Sequence, residues 1–155
     1  MPTAFLQERV VEYITADPSL FVAEERLLVY GKGAKDHWWV DALIVDIWAE
    51  TFYLGETTYN LRPSSLLQKL AVFTARKSEV LAGIGRKGAP QGWSVRPWLF
   101  LRRDAVPWVI ERLPPEASPR ITYLEATAFP WLYEKIRKEG GEPDKPYPDL
   151  DPKYQ

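Results

Sequence analysis

Two β-rich runs separated by four residues constrain this chain more than any other feature. WWVDALIVD (residues 38–46) and TFYLGETTY (51–59) are rich in β-branched and aromatic side chains, and the connection IWAE is of hairpin length. The pattern predicts a β-hairpin. With Asp46 opposite Thr51, Asp41 falls across from Glu56, and alternation puts both acids on the face carrying Leu43, Val45, Phe52 and Leu54. A slip of one residue would send the two acids to opposite faces, as ordinary residues of a sheet. In the first alignment, like charges oppose each other at the margin of an apolar face, which destabilises a sheet unless one carboxylate takes a proton or a cation lies between them. The pair invites a hard divalent ion such as Mg²⁺, which prefers carboxylate oxygen and keeps several of its waters. An ion held there could polarise a phosphodiester. Glu24 and Glu25, upstream, are candidate further ligands.

The rest of the chain alternates helical and extended patterns. Residues Ala4 to Ala16 carry Phe5, Leu6, Val10, Val11, Tyr13 and Ile14 at near-helical spacing, and Asp17-Pro18 ends that helix. In SLFVAEERLLVYGKGAKD a helical turn passes into a short strand, Arg26 to Tyr30, closed by Gly31 and Gly33. After the hairpin, Pro63 and a Ser65-x-x-Gln68 capping box open a helix over 65–82. Leu66, Leu70, Phe73, Val80 and Leu81 form its apolar stripe, with Gln68, Lys69, Arg76 and Glu79 opposite. A basic Gly-rich loop, GIGRKGAPQG, leads to a strand from about Val95, where Pro97 predicts an edge or a bulge. Asp104 is placed to cap a short helix through Arg112, with Pro107 in its first turn. ITYLEA then reads as a strand and FPWLYEKIRKE as a last helix ended by Gly140-Gly141. The expectation is one α/β domain over residues 1–141, a mixed sheet flanked by helices, followed by an extended, Pro-rich, acidic tail over 142–155.

Composition narrows the chemistry. At 155 residues, with 46% hydrophobic side chains, the chain can bury a core of its own. Its lack of cysteine excludes disulfide staples, thiolate metal sites and thiol nucleophiles. The single histidine, His37, limits any Ser-His-Asp triad to that residue and excludes a His-pair zinc site; it reads as a capping or surface group. No membrane segment or signal peptide is visible, so a cytoplasmic location is the default expectation.

The formal charge of −1 conceals a polarised distribution. Between Arg62 and Arg103 stand nine basic residues against the single acid Glu79, while the remainder of the chain is strongly acidic. Such a block is a footprint for a polyanion, DNA above all, with Lys69, Arg76, Arg86 and Lys87 as candidate phosphate contacts. Neither YGKGAKD nor GIGRKG matches a nucleotide-binding loop. Of the seven tryptophans, most are expected in the core, with Trp48 and Trp93 the exposed ones, available to an unpaired base or to a protein partner.

The paired acids and the element order together resemble the PD-(D/E)xK nuclease-like, or restriction-endonuclease-like, superfamily. Its pattern is an acid on one strand of a hairpin and an acid-x-Lys on the next, within an α-β-β-β-α-β core. Asp41 in VDALIVD looks like the first acid and Glu56 in GETTY like the second, and the resemblance spans residues 4 to 103. It implies a Mg²⁺-dependent phosphodiester hydrolase acting on DNA, with Asp41 and Glu56 as metal ligands and catalytic groups. The family lysine is Thr58 here. In some relatives the basic group comes from the following helix, and Lys69, with Gln68 beside it, is the candidate for that role. The alternative reading is a non-catalytic protein-interaction module on an α/β fold.

Overall fold

The computed structural model describes residues 3–85, 90–128 and 150–155. The elements are α1 (Thr3–Thr15), β1 (Leu20–Val29), β2 (His37–Asp46), β3 (Thr51–Thr58), α2 (Ser64–Ala75), α3 (Lys77–Ala82), β4 (Ser94–Leu101), α4 (Val106–Arg112), β5 (Arg120–Tyr123) and α5 (Leu124–Ala128). Short 3-10 turns lie at Arg103–Ala105 and Pro152–Tyr154. The five strands form one mixed sheet in the order β1-β2-β3-β4-β5. β1, β2 and β3 are antiparallel neighbours, whereas β4 runs parallel to β3 and β5 parallel to β4. This is an α/β fold with helices on both faces of the sheet.

Alternation along the strands sorts the apolar side chains into two layers. Leu6, Val10 and Ile14, one turn apart on α1, pack with Ala42, Ile44, Tyr53, Trp98, Phe100 and Leu124. On the other face, Phe73 of α2 and Val80 of α3 cover Leu43, Phe52, Leu54 and Val95. A further cluster joins Leu66 and Leu70 to Leu99, Leu101, Val106, Val109, Ile121 and Tyr154. Among the described residues, no helix is long and apolar enough to cross a membrane.

The hairpin has the expected register: Asp46 pairs with Thr51 and Ala42 with Gly55. Other expectations are corrected. The first strand is ten residues long, Leu20–Val29, with no helical turn before it, because Phe21, Val22 and Ala23 find ladder partners in Val45, Ile44 and Leu43. The 65–82 helix is broken at Arg76, and no side chain caps its start; Leu67 N–H bonds to the Pro63 carbonyl instead. Asp104 does not cap α4. It accepts from Arg102, and Ala105 occupies the cap position. ITYLEA is a strand only as far as Tyr123; Leu124, Glu125 and Ala126 already belong to α5.

Pro97 lies in an interior strand rather than at a sheet edge. The β4–β5 ladder begins at Trp98↔Arg120, one residue beyond it, so Pro97 has a strand neighbour on one side only. Locally that is an edge position, where a missing N–H is tolerated. The helix expected at FPWLYEKIRKE, and the tail up to residue 149, lie outside the described residues.

The final six residues pack on the body of the fold. Tyr154 is buried, and the Arg96 guanidinium donates to the carbonyls of Ser118, Pro119, Lys153 and Gln155. Arg96→Met keeps the aliphatic stem but removes these donors. It is expected to cost about 1–3 kcal/mol in urea denaturation and to strip hydrogen-exchange protection from the Tyr154 amide while leaving Leu54 protected.

Candidate active site

The regular hairpin ladder ends at Ala42↔Gly55. One residue on, the Asp41 side chain takes over the role of a backbone partner: its Oδ2 accepts from the Thr57 N–H at 2.9 Å. The β1–β2 ladder is interrupted at the same level, between Glu24↔Ala42 and Arg26↔Val40, where Glu25 adopts a left-handed φ of 47°. Both strands exchange faces across this interruption. Leu20 and Val22 pack toward α1, but Leu28 packs with the α2 layer; Ala42 and Ile44 pack toward α1, but Trp38 and Val40 pack with the α2 layer. The exchange turns the Trp38 ring under α2, edge-on to Phe73.

Trp38 and Glu56 thereby meet. The Trp38 indole N–H donates to Glu56 Oε1 in a short buried hydrogen bond, and only 5% of Glu56 is exposed. From α2, Lys69 Nζ reaches the same Oε1 at 3.3 Å and the Trp39 carbonyl at 3.5 Å. The ammonium thus bridges the two strands where their ladder has stopped. Burial pushes the Glu56 carboxyl up to about 8, and the Asp41 charge and hydrogen bond add to the shift; Lys69 and Trp38 oppose it without prevailing. Lys69 and Trp38 thus act on a carboxyl whose charged form burial disfavours.

The structure brings Asp41, Glu56 and Lys69 together. It does not bring the other sequence candidates to them. Glu24 and Glu25 are exposed on β1, and among the described residues no group of three or more His, Cys, Asp or Glu side chains comes together. Arg76 is held between Asp36, at 2.6 Å, and Glu79, which together raise its pKa and compensate its charge. Arg86 and Lys87 lie outside the described residues. Thr58 Oγ1 accepts from the Asn60 N–H, so the residue at the family's lysine position serves the turn after β3. His37 is exposed at the start of β2. Trp93 is half-buried against Phe52, and Trp39 rather than Trp93 joins Trp48 on the surface.

Sequence reasoning missed Trp38, since strict alternation places it on the face away from Asp41 and Glu56. The one available signal was the acid at Asp41 itself, an unfavourable strand residue in an apolar run. No protein-family model matches this chain, and neither a curated protein nor a solved structure matches it.

The folded carboxyl of Glu56 keeps its proton up to about 8, whereas an unfolded chain releases it near 4.5. Between those values the folded state binds more protons, so stability falls as pH rises. Glu56→Gln preserves an acceptor for Trp38 and a donor to Asp41. Urea denaturation at pH 5 and pH 9 is expected to show the wild type losing on the order of 3 kcal/mol relative to this variant.

Proposed function

We propose that this chain is a nuclease-like, metal-dependent phosphodiester hydrolase in which Asp41 and Glu56 hold a divalent cation and Lys69 replaces the lysine missing at Thr58. The observation that carries this reading is the contact of Lys69 Nζ with Glu56, from a helix that follows β3 directly, beside an Asp41 whose charge also acts on that carboxyl. The element order α1-β1-β2-β3-α2-β4 supports it, being that of the core the resemblance implies.

The donor set suits Mg²⁺: two neighbouring carboxyls and, among the described residues, too few protein groups for a closed cage. A bound divalent ion would supply charge stabilisation to the phosphate and polarise the bond to be cleaved. Trp38 fixes the orientation of the Glu56 carboxyl through its indole N–H. Lys69, half-exposed and anchored to the Trp39 carbonyl, presents an ammonium toward the charge that builds on the phosphate. Exposed cations at the same end of the sheet, Lys32 and Lys35 in the β1–β2 turn and Arg62 after β3, provide phosphate contacts in place of the compensated Arg76.

Incubation with plasmid or single-stranded DNA in Mg²⁺ or Mn²⁺ should give cleavage that Asp41→Ala, Glu56→Ala and Lys69→Met each reduce by about a hundredfold or more. Absence of cleavage by the wild type in either metal rejects catalysis.

A second reading, a non-catalytic protein-interaction module, draws on the opposite end of the hairpin, where Ile47 and Trp48 stand exposed in the β2–β3 turn. Salt separates the two. Nucleic-acid binding should weaken steeply between low and physiological salt, whereas a partner anchored on Trp48 should be retained at both and lost in Trp48→Ala.

A further inference from the structure

Trp39 is 58% exposed although it lies two residues from Asp41. Its carbonyl is tied to Lys69, and its ladder partner on β1, Leu27, is exposed beside it. Across the parted ladder, three residues after Glu56, Tyr59 is also exposed, with the Arg102 guanidinium 4.5 Å over its ring. Two exposed aromatic side chains therefore stand at the level where β2 and β3 separate, Trp39 on the sheet face opposite the Trp38 ring, so that a strand passing between the parted ends reaches both faces. Cations stand at the same end of the sheet: Lys32, Lys35 and Arg62 are exposed and form no ion pair with another described residue, and Lys69 Nζ reaches the Trp39 carbonyl. An apolar ring flanked by cations complements an unpaired base joined to its phosphates. A base-paired duplex hides its base faces and offers Trp39 nothing to stack on.

We infer that the substrate strand crosses the parted ends of β2 and β3 with an unpaired base stacked on Trp39, so that the site takes single-stranded rather than duplex nucleic acid. This rests on the phosphodiester reading of Asp41, Glu56 and Lys69 and specifies its substrate class. Trp48, more exposed still at 85%, sits at the far end of the hairpin and serves as the internal control.

The test is fluorescence anisotropy of the full chain in EDTA with a labelled oligothymidylate of roughly 15 nucleotides and with a duplex of the same length. The wild type should bind the single strand more tightly. Trp39→Ala should weaken that binding about five- to a hundredfold, Trp39→Phe should recover most of it, and Trp48→Ala should leave it unchanged, with duplex affinity the same in all four proteins. Equal binding of both nucleic acids together with a silent Trp39→Ala overturns this inference and leaves the nuclease-like reading standing. Binding of neither overturns both. A mass in sedimentation that rises with concentration in the wild type but not in Trp39→Ala assigns the ring to a self-contact and also overturns it.

Discussion

A carboxyl group buried beside a second carboxyl is the constraint around which this structure is arranged. Glu56 is almost wholly removed from water, and the like charge of Asp41 acts on it. Leaving both ionised in such a place is costly, and the fold supplies three groups that lower the cost: a proton held to about pH 8, the Trp38 indole N–H and the Lys69 ammonium. None would be needed by a sheet built for stability alone. An apolar residue at position 56 would continue the layer of Phe52 and Leu54 without any of them. That burial of an acid is what makes this end of the sheet the candidate site.

The backbone meets the same constraint. β2 and β3 pair regularly from the turn up to Ala42↔Gly55, and a side chain of Ala or larger at position 55 would press on the Ala42 carbonyl. Beyond that point Asp41 satisfies the Thr57 N–H, and the freed Trp39 carbonyl goes to Lys69. The simultaneous exchange of faces on β1 and β2 brings Trp38 inward and turns Trp39 out. One local departure from strand geometry thus creates the buried donor to Glu56 and the exposed ring beside it.

Charge is distributed with similar economy. Much of the basic block between Arg62 and Arg103 serves the fold: Arg76 binds Asp36 and Glu79 and ties the β1–β2 turn to the α2–α3 break, Arg96 holds the final residues, and Arg102 pairs with Asp104. Among the described residues of that block, Lys69 is the one that contacts Glu56. Cations that the linear window excluded, Lys32 and Lys35, reach the same end of the molecule because the β1–β2 turn lies there.

Period-two alternation and a hairpin-length connection were sufficient, from the sequence alone, to define the β2–β3 register from Ala42↔Gly55 to Asp46↔Thr51 and the helix after β3 that carries Lys69, though not the end of the ladder before Asp41 and Glu56. These follow from local rules, since a strand's faces and a short turn leave few alternatives. The ten-residue β1, the interior position of Pro97, the compensation of Arg76 and the exposure of Trp39 were decided only by the tertiary structure. Each depends on what a neighbouring element places alongside: a ladder partner for Phe21, the late start of β5 beside Pro97, Asp36 arriving from a distant turn. The inward turn of Trp38 belongs with them, because it breaks the alternation on which sequence reasoning relies, and it does so where a buried acid needs a hydrogen-bond donor.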